Sequence, residues 1–207
     1  MMIKLDIKYS LEYEKERIKY TLSKADWFLK NGYSKWIKLP AGKKLEDVDI
    51  KTSENSLLTT AEEEYCTNDY EKIKKTIEEQ WSISSSKLEN YFAMTSLKQE
   101  DIYIIQLTKY GVGGSYNVPN KVISNFQNKT EIALLRNIIH EIIHLSIQSL
   151  IDEYRVEHWI KERLVDLILA KNDPTLVIMQ NITIDTTAVD SVFEKYYPDV
   201  EKIIKCI

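Results

Sequence analysis

The stretch "RNIIHEIIHLSIQSL", residues 136–150, decides how this sequence is interpreted, because it places two histidines four positions apart. Its apolar residues recur at helical spacing behind Thr130, a good N-cap, which predicts a helix from there to the end of the stretch. His140 and His144 then leave one face of that helix and can share a tetrahedral ion. Glu141 points to the side, where its carboxylate reaches a water on the metal more easily than the metal itself. The HExxH pattern therefore predicts a metal site with Glu141 as general base.

The alternative is a metal-free helical domain, since a histidine in an apolar helix is usually a hydrogen-bonded core residue. The chain has only three histidines in 207 residues. Shuffling its composition would produce HExxH on the order of 0.3% of the time, which favours the metal site over coincidence.

A catalytic zinc ion usually has three protein ligands and one open position, so a third ligand is expected nearby. The downstream candidates are Glu153, Glu157, His158 and Glu162. Glu162 is favoured because it opens the motif "ERLVD", in which Glu162 and Asp166 share one helical face. Asp166 is then placed to accept a hydrogen bond from His140 and fix its tautomer. Leu150 stands where a metzincin would have its third histidine, which excludes that class.

HEIIH, followed after an interval of 17 residues by Glu162 in an ExxxD setting, resembles the gluzincin metallopeptidases. The small soluble minigluzincins are the most similar, and the resemblance covers residues 101–172. It implies an α+β, zincin-like domain with a small sheet or hairpin, an active-site helix and a glutamate helix. It also implies that an edge strand above the cleft holds an extended substrate by strand addition. In thermolysin-like members a Tyr or His from a long insert stabilises the oxyanion; here the segment between the helices is short, and Tyr154 and His158 are the candidates.

The rest of the chain is predicted in two parts. Residues 1–100 form a mainly helical N-terminal portion of unknown role, and residues 101–207 form the zincin-like domain with a C-terminal tail. In the second part, "DIYIIQLT" and "KVISNF" are predicted strands joined by the glycine-bearing turn "KYGVGGSYNVPN". Neither the Lys-Ser/Thr pair of a P-loop nor the GxGxxG spacing is present, so a phosphate-binding loop is not expected there.

Patterning in the first part predicts a strand over residues 3–9 and a helix over 11–30 capped by Ser10. The polar segment 39–56 is predicted as a boundary or mobile loop. A helix over about 60–81 and a further short helix before Met94 are expected to follow.

The tail, residues 175–207, has two interpretations. It closes the core with a strand and a helix, as its apolar positions indicate: Leu176, Ile178, Val192, Phe193 and Ile203. Alternatively it lies in the cleft and offers Asp190 or Cys206 as a fourth zinc ligand, which would make the enzyme latent.

Composition restricts the function further. The chain has 28 Lys and Arg against 32 Asp and Glu, and no run of basic residues indicates a nucleic-acid partner. Its two cysteines form no CxxC pair, so a disulfide framework is not expected and a reducing, cytoplasmic setting fits best. The longest apolar runs are too short to span a membrane.

The metal-site pattern together with the gluzincin resemblance predicts a zinc metalloendopeptidase acting on peptides or unfolded proteins. His140, His144 and Glu162 bind Zn²⁺, and Glu141 activates the attacking water. The alternative is a zinc-stabilised module that binds peptide without cleaving it. Water as the fourth ligand would favour the enzyme, and a protein side chain would favour the module or a latent site. The oligomeric state is not indicated.

Overall fold

Four strands of the described residues form one sheet, and three of them come from segments whose patterns predict strands. The computed structural model describes residues 3–50, 52–176, 182 and 184–207. The strands are β1 (Lys4–Lys8), β2 (Ile102–Thr108), β3 (Gly114–Asn117) and β4 (Lys121–Asn125). Their order is β1-β2-β4-β3, with β1 and β4 parallel to β2 and with β3 antiparallel to β4. The predicted mixture of α and β structure is confirmed, and the described fold is mainly helical.

Strand β3 lies inside the segment predicted as a turn, and this changes the topology. The expected hairpin between the two flanking strands is wrong, because β2 and β4 are parallel neighbours. The hairpin joins β3 to β4 instead, through the turn that contains the cis Val118–Pro119 peptide. As a result β3 is an edge strand of the sheet that the described residues form.

The helices of the N-terminal half differ in length from their predictions. They are α1 (Leu11–Ser23), α2 (Ala25–Lys30), α3 (Glu54–Glu64) and α4 (Thr67–Thr95). Ser10 caps α1 as predicted, and its hydroxyl accepts from the backbone N–H of Tyr13. The single helix expected over residues 11–30 is interrupted at Lys24. The helix expected over 60–81 is also wrong, since α3 ends at Glu64 inside that range. A separate helix, α4, then runs for 29 residues and includes the serine-rich segment 82–86.

Helices α5 (Glu131–Tyr154) and α6 (His158–Asn172) carry the predicted metal-binding residues. Thr130 caps α5 as predicted, with its side chain accepting from Ala133. Helix α5 continues four residues beyond the predicted end. Arg155 then ends the helix in the left-handed backbone conformation, at φ 52°. Glu157 caps α6, because its carboxylate accepts from the backbone N–H groups of Trp159 and Ile160.

The described part of the tail forms helices α7 (Thr187–Tyr196) and α8 (Val200–Cys206). Both pack on the apolar core formed by the sheet, α4, α5 and α6, through buried residues: Val189, Phe193, Val200, Ile203 and Ile204. This agrees with the interpretation of the tail as a closing element. Ile178 and most of the predicted closing strand lie outside the described residues.

Two apolar cores hold the structure together. The larger one contains the sheet, α4, α5 and α6 and the two tail helices. The smaller one is built almost entirely from residues 18–61, with Tyr110 completing it. Residues from both sides of the predicted boundary at residue 100 share the larger core, because β1 and α4 belong to it. Leu39 and Leu45, in the segment predicted as a boundary or mobile loop, are 1% exposed in the smaller core.

Within the described ranges, no helix combines the length and the apolar character that crossing a membrane requires.

Candidate metal centre

Three side chains from α5 and α6 converge on one buried point. Nε2 of His140 lies 3.0 Å from Nε2 of His144, and Oε2 of Glu162 lies 3.4 Å from each of these nitrogens. All three residues are at most 8% exposed. In the part of the chain that the structure describes, they form the one group of His, Cys, Asp or Glu side chains whose ligand atoms lie close enough to hold a metal ion.

These distances suit a tetrahedral zinc site. Zinc binds imidazole nitrogen and carboxylate oxygen at about 2.0–2.2 Å, so two ligands of one ion stand about 3.3–3.5 Å apart. Both separations between histidine nitrogen and glutamate oxygen fall in that range, and the separation of the two nitrogens is slightly shorter. Two imidazoles and one carboxylate also leave a fourth position for water. The residues present therefore fit a catalytic type of zinc site.

Burial and charge set the protonation of the three side chains. Burial lowers the pKa of His144 to about 4. Burial alone would raise the pKa of Glu162, but the adjacent His144 and His140 lower it well below its usual value. Burial also disfavours the charged form of His140, yet its hydrogen bond with Glu162 and the surrounding carboxylates raise its pKa above the usual value. A neutral imidazole and an ionised carboxylate are the forms that bind a cation, so a proton on His140 competes with the metal.

Asp166 faces the opposite side of His140, where the sequence predicts it. Its Oδ1 lies 3.7 Å from Nδ1 of His140 and 3.6 Å from a guanidinium nitrogen of Arg136. Both distances exceed a direct hydrogen bond. The buried carboxylate thus provides negative charge on the side of the ring that must carry its proton when Nε2 binds a metal.

Glu141 is buried next to His140 in the sequence, and two partly buried polar side chains hold its carboxylate. Its Oε1 accepts from Nδ2 of Asn137 at 3.3 Å. The ammonium group of Lys129 donates at 2.6 Å to Oδ1 of Asn137, which fixes the orientation of that amide, and at 2.6 Å to the carbonyl oxygen of Gly113. Burial raises the pKa of Glu141 to about 7. A carboxylate with this environment is suited to accept and return a proton near neutral pH.

Two glycines let the chain around β3 approach its neighbours closely. A Cβ at Gly114 would lie 2.1 Å from Nδ2 of Asn137 and 2.3 Å from Oε1 of Glu141. Gly111 has φ +80°, and a Cβ there would lie 2.4 Å from Nε of Arg17. The buried Arg17 also donates to the hydroxyl of Ser115 at 3.0 Å. Residues 111–114 are therefore held between Arg17 on one side and α5 on the other, which places β3 against the part of α5 that contains HEIIH.

Tyr116 of β3 covers His144. The two rings stack with centroids 5.0 Å apart and planes within 12° of each other. The ammonium group of Lys161 donates to the Tyr116 hydroxyl at 3.1 Å and lies 3.6 Å from Oε1 of Glu162. Gly114 and Tyr116 thus point toward α5 while Ser115 points toward Arg17, as the alternation of a strand requires.

His158 lies between Glu162 of the metal-binding group and Tyr33 of the N-terminal part. Its Nδ1 lies 3.9 Å from Oε1 of Glu162, and its Nε2 lies 2.7 Å from the hydroxyl of Tyr33. The Tyr33 ring stacks on Trp159 with centroids 5.9 Å apart. Burial and the charges of Glu162 and Glu141 raise the pKa of Tyr33, which keeps its hydroxyl protonated as a donor.

The remaining candidates lie elsewhere. Tyr154 is ten residues beyond His144, about 15 Å along the helix, and its 38% exposed ring lies near Lys205. Glu153 is exposed, and Glu157 is the N-cap of α6. In the tail, Asp190 forms a bidentate ion pair with Arg163 at 2.7 and 2.8 Å, and Cys206 is exposed. None of these residues belongs to the group that can hold a metal.

Several residues around the metal-binding group were not predicted from the sequence. Asn137 was detectable, since it precedes Glu141 by one helical turn. Tyr33, Tyr116 and Lys129 reach the site through contacts distant in sequence or through β3, and no local pattern marks them. Comparison with known proteins finds no matching family model, no similar curated protein and no similar solved structure.

Proposed function

We propose that this chain is a zinc-dependent metalloendopeptidase that hydrolyses peptides or unfolded proteins. The observation that carries the proposal is the convergence of Nε2 of His140, Nε2 of His144 and Oε2 of Glu162, with the Glu141 carboxylate beside them. A buried site of this kind combines a place for a Lewis acid with a base one residue along the helix. The gluzincin resemblance is our interpretation of HEIIH and ERLVD on two helices that meet at this point.

Each residue then has a role that its surroundings support. His140, His144 and Glu162 would hold the zinc, which when bound polarises a carbonyl group and lowers the pKa of water. Glu141 takes the proton from the attacking water and passes it to the leaving amine. Asn137 keeps the Glu141 carboxylate in one orientation through the hydrogen bond to Oε1.

The edge of β3 provides a place for an extended substrate. Among the described residues, β3 pairs with β4 on one side and is the last strand of the sheet, and we propose that its other edge pairs with a peptide. Gly114 and Tyr116 place this strand directly against Glu141 and His144. A peptide that pairs with β3 would therefore cross the site in extended form, as an endopeptidase requires.

Tyr33 and His158 are the best candidates for a donor to the negative charge that develops on the carbonyl oxygen. Their side chains are 2.7 Å apart, and His158 lies 3.9 Å from the nearest oxygen of Glu162. Tyr33 belongs to the N-terminal part, which would explain how the site obtains a donor without a long insert after α5. Tyr154 is too distant for this role.

The experiment that tests the proposal compares Glu141→Gln with the wild-type protein. Glutamine keeps the size of the side chain and its bond with Asn137 but cannot accept a proton. We expect about one zinc per chain in both proteins, measured by mass spectrometry of the metal. The rate of cleavage of an unstructured fluorogenic casein should fall by about 10²-fold or more.

The control is Glu153→Gln, an exposed position on the same helix, which should cleave at the wild-type rate. Undiminished cleavage by Glu141→Gln would remove Glu141 from the mechanism. Zinc-loaded wild-type protein that binds unfolded casein but cleaves none would favour the alternative, a zinc-stabilised peptide-binding module.

A further inference from the structure

A cavity of about 320 Å³ lies apart from the metal site, between the turns that follow α2 and the loop that follows β4. Lysines and neutral polar side chains make up most of its lining, and two apolar residues complete it. Its lining is Ser34, Lys35, Ile37, Lys38, Leu39, Gly42, Lys43, Lys44, Glu46, Gln127 and Asn128. We call this cavity the lysine pocket. It contains none of the residues of the metal centre.

The charge of the lysine pocket is opposite to that of the whole chain. Four lysines and one glutamate line it, whereas the chain carries a net charge of −4. Throughout the described residues, none of these four ammonium groups is paired with a carboxylate, although Lys15, Lys87 and Lys109 form such pairs on other surfaces. A single surface lysine needs only water around it. Four around one concavity repel one another and focus positive potential into it.

The backbone that presents the lysines is fixed. Ile37 and Leu39 are buried in the smaller core at 4% and 1% exposure. Between them, Lys38 exchanges two backbone hydrogen bonds with Gly111, at 3.0 and 2.7 Å. Lys43 follows Gly42, whose φ of 64° allows a tight turn there. These buried anchors and backbone hydrogen bonds hold the lysine-bearing backbone in place despite the repulsion between the ammonium groups, as in a preformed binding site.

We propose that the lysine pocket binds a small anion that carries two or more phosphate groups. Lysine ammonium groups bind phosphate as point charges, while planar carboxylates are better matched by the arginine fork. No arginine is among the described residues that line this pocket. The hydroxyl of Ser34 and the amides of Gln127 and Asn128 add neutral donors. A volume of about 320 Å³ exceeds a single phosphate ion and lies in the range of small-molecule sites.

Such a ligand would connect two parts of the protein. Ser34 and the lysines belong to the N-terminal part, whereas Gln127 and Asn128 directly precede Lys129, which holds Gly113 and Asn137 beside Glu141. Because the ligand binds only the folded arrangement of both walls, it should stabilise the folded state. This inference does not depend on the peptidase proposal.

The test is a calorimetric titration of the full chain with inorganic pyrophosphate at constant ionic strength. We expect saturable binding that weakens at least tenfold in the double variant Lys43→Gln/Lys44→Gln. The matched control is Lys74→Gln/Lys75→Gln, two neighbouring lysines of α4 outside the pocket, which should bind within twofold of the wild type. All three proteins keep the metal site, so any chelation of zinc by pyrophosphate contributes equally. The single variant Lys35→Gln gives a second measurement should the double variant be unstable.

Two outcomes would overturn the proposal. Equal affinities of the pocket variants and the control would mean that the lysines of the pocket do not bind the anion. Citrate binding as tightly as pyrophosphate, with the same dependence on Lys43 and Lys44, would assign the pocket to carboxylates. A Trp36→Phe variant locates the site independently, because the Lys35 ammonium lies 5.0 Å from the Trp36 ring centroid and binding should change tryptophan fluorescence only when Trp36 is present.

Discussion

Replacing Gly114 by alanine should disable the proposed general base without touching a metal ligand. The added Cβ would lie 2.1 Å from Nδ2 of Asn137 and 2.3 Å from Oε1 of Glu141, where ordinary contacts begin at 3.4 Å. The nitrogen therefore has to move about 1.3 Å and the oxygen about 1.1 Å. Asn137 cannot move freely, because Lys129 and Ser124 both donate to its Oδ1, at 2.6 and 3.3 Å.

The size of the effect follows from these displacements. A misplacement of about 1 Å in a reacting group costs about 10²-fold in rate. Overpacking of a buried contact costs about 1–3 kcal/mol of unfolding free energy. Gly114 does not have a positive φ, so alanine adds no backbone strain and the effect is steric.

Gly113→Ala is the matched control. A Cβ at Gly113 meets only Nζ of Lys129, at 3.6 Å, which is an ordinary contact. Casein cleavage and urea unfolding should be measured for both variants, with zinc content determined for each. We expect Gly114→Ala to retain zinc while it loses about 10²-fold in rate, and Gly113→Ala to resemble the wild type. Equal rates in the two variants would refute the argument that Gly114 makes room for Glu141.

Two further predictions concern residues that hold the site. Burial lowers the pKa of Lys129 from 10.5 to about 8, so above pH 8 the folded chain releases a proton that the unfolded chain keeps, and stability rises with pH. Urea unfolding of wild-type protein and Lys129→Met should therefore show the wild type gaining about 1–2 kcal/mol over the variant between pH 7 and 9.5; a difference that is independent of pH would contradict the burial of this ammonium group. Tyr33→Phe removes the hydrogen bond to His158 and should lower kcat for casein about tenfold or more at unchanged zinc content. An equal rate in the exposed control Tyr20→Phe and in Tyr33→Phe would exclude Tyr33 as a donor.

The ligand helix was predictable because its determinants are local. Thr130 supplies the cap, the apolar spacing defines the helix, and the separation of four residues places His140 and His144 on one face. Glu162 was distinguished from Glu157 only by the ERLVD motif. The structure supplies a physical reason for this choice, since the Glu157 carboxylate is engaged in capping α6.

The parts that sequence reasoning missed depend on contacts between distant segments. Strand β1 pairs with β2 across nearly a hundred residues, and no local pattern specifies that register. The short β3 contains two polar residues and one glycine, so its local sequence predicts a turn. It is a strand because it pairs with β4. The serine-rich segment of α4 predicts a break, but Ser85, Trp81 and Leu88 are buried along one continuous helix. Tertiary packing outweighs the weak helix propensity of serine there.

The proposed zinc site can be located by anomalous diffraction at the zinc absorption edge, from crystals of zinc-loaded wild-type protein. We expect one peak within about 2.0–2.2 Å of Nε2 of His140, Nε2 of His144 and Oε2 of Glu162, with a water molecule in the fourth position. A peak that lies elsewhere in the chain, or a fourth ligand supplied by a protein side chain, would contradict an open catalytic zinc site at HEIIH.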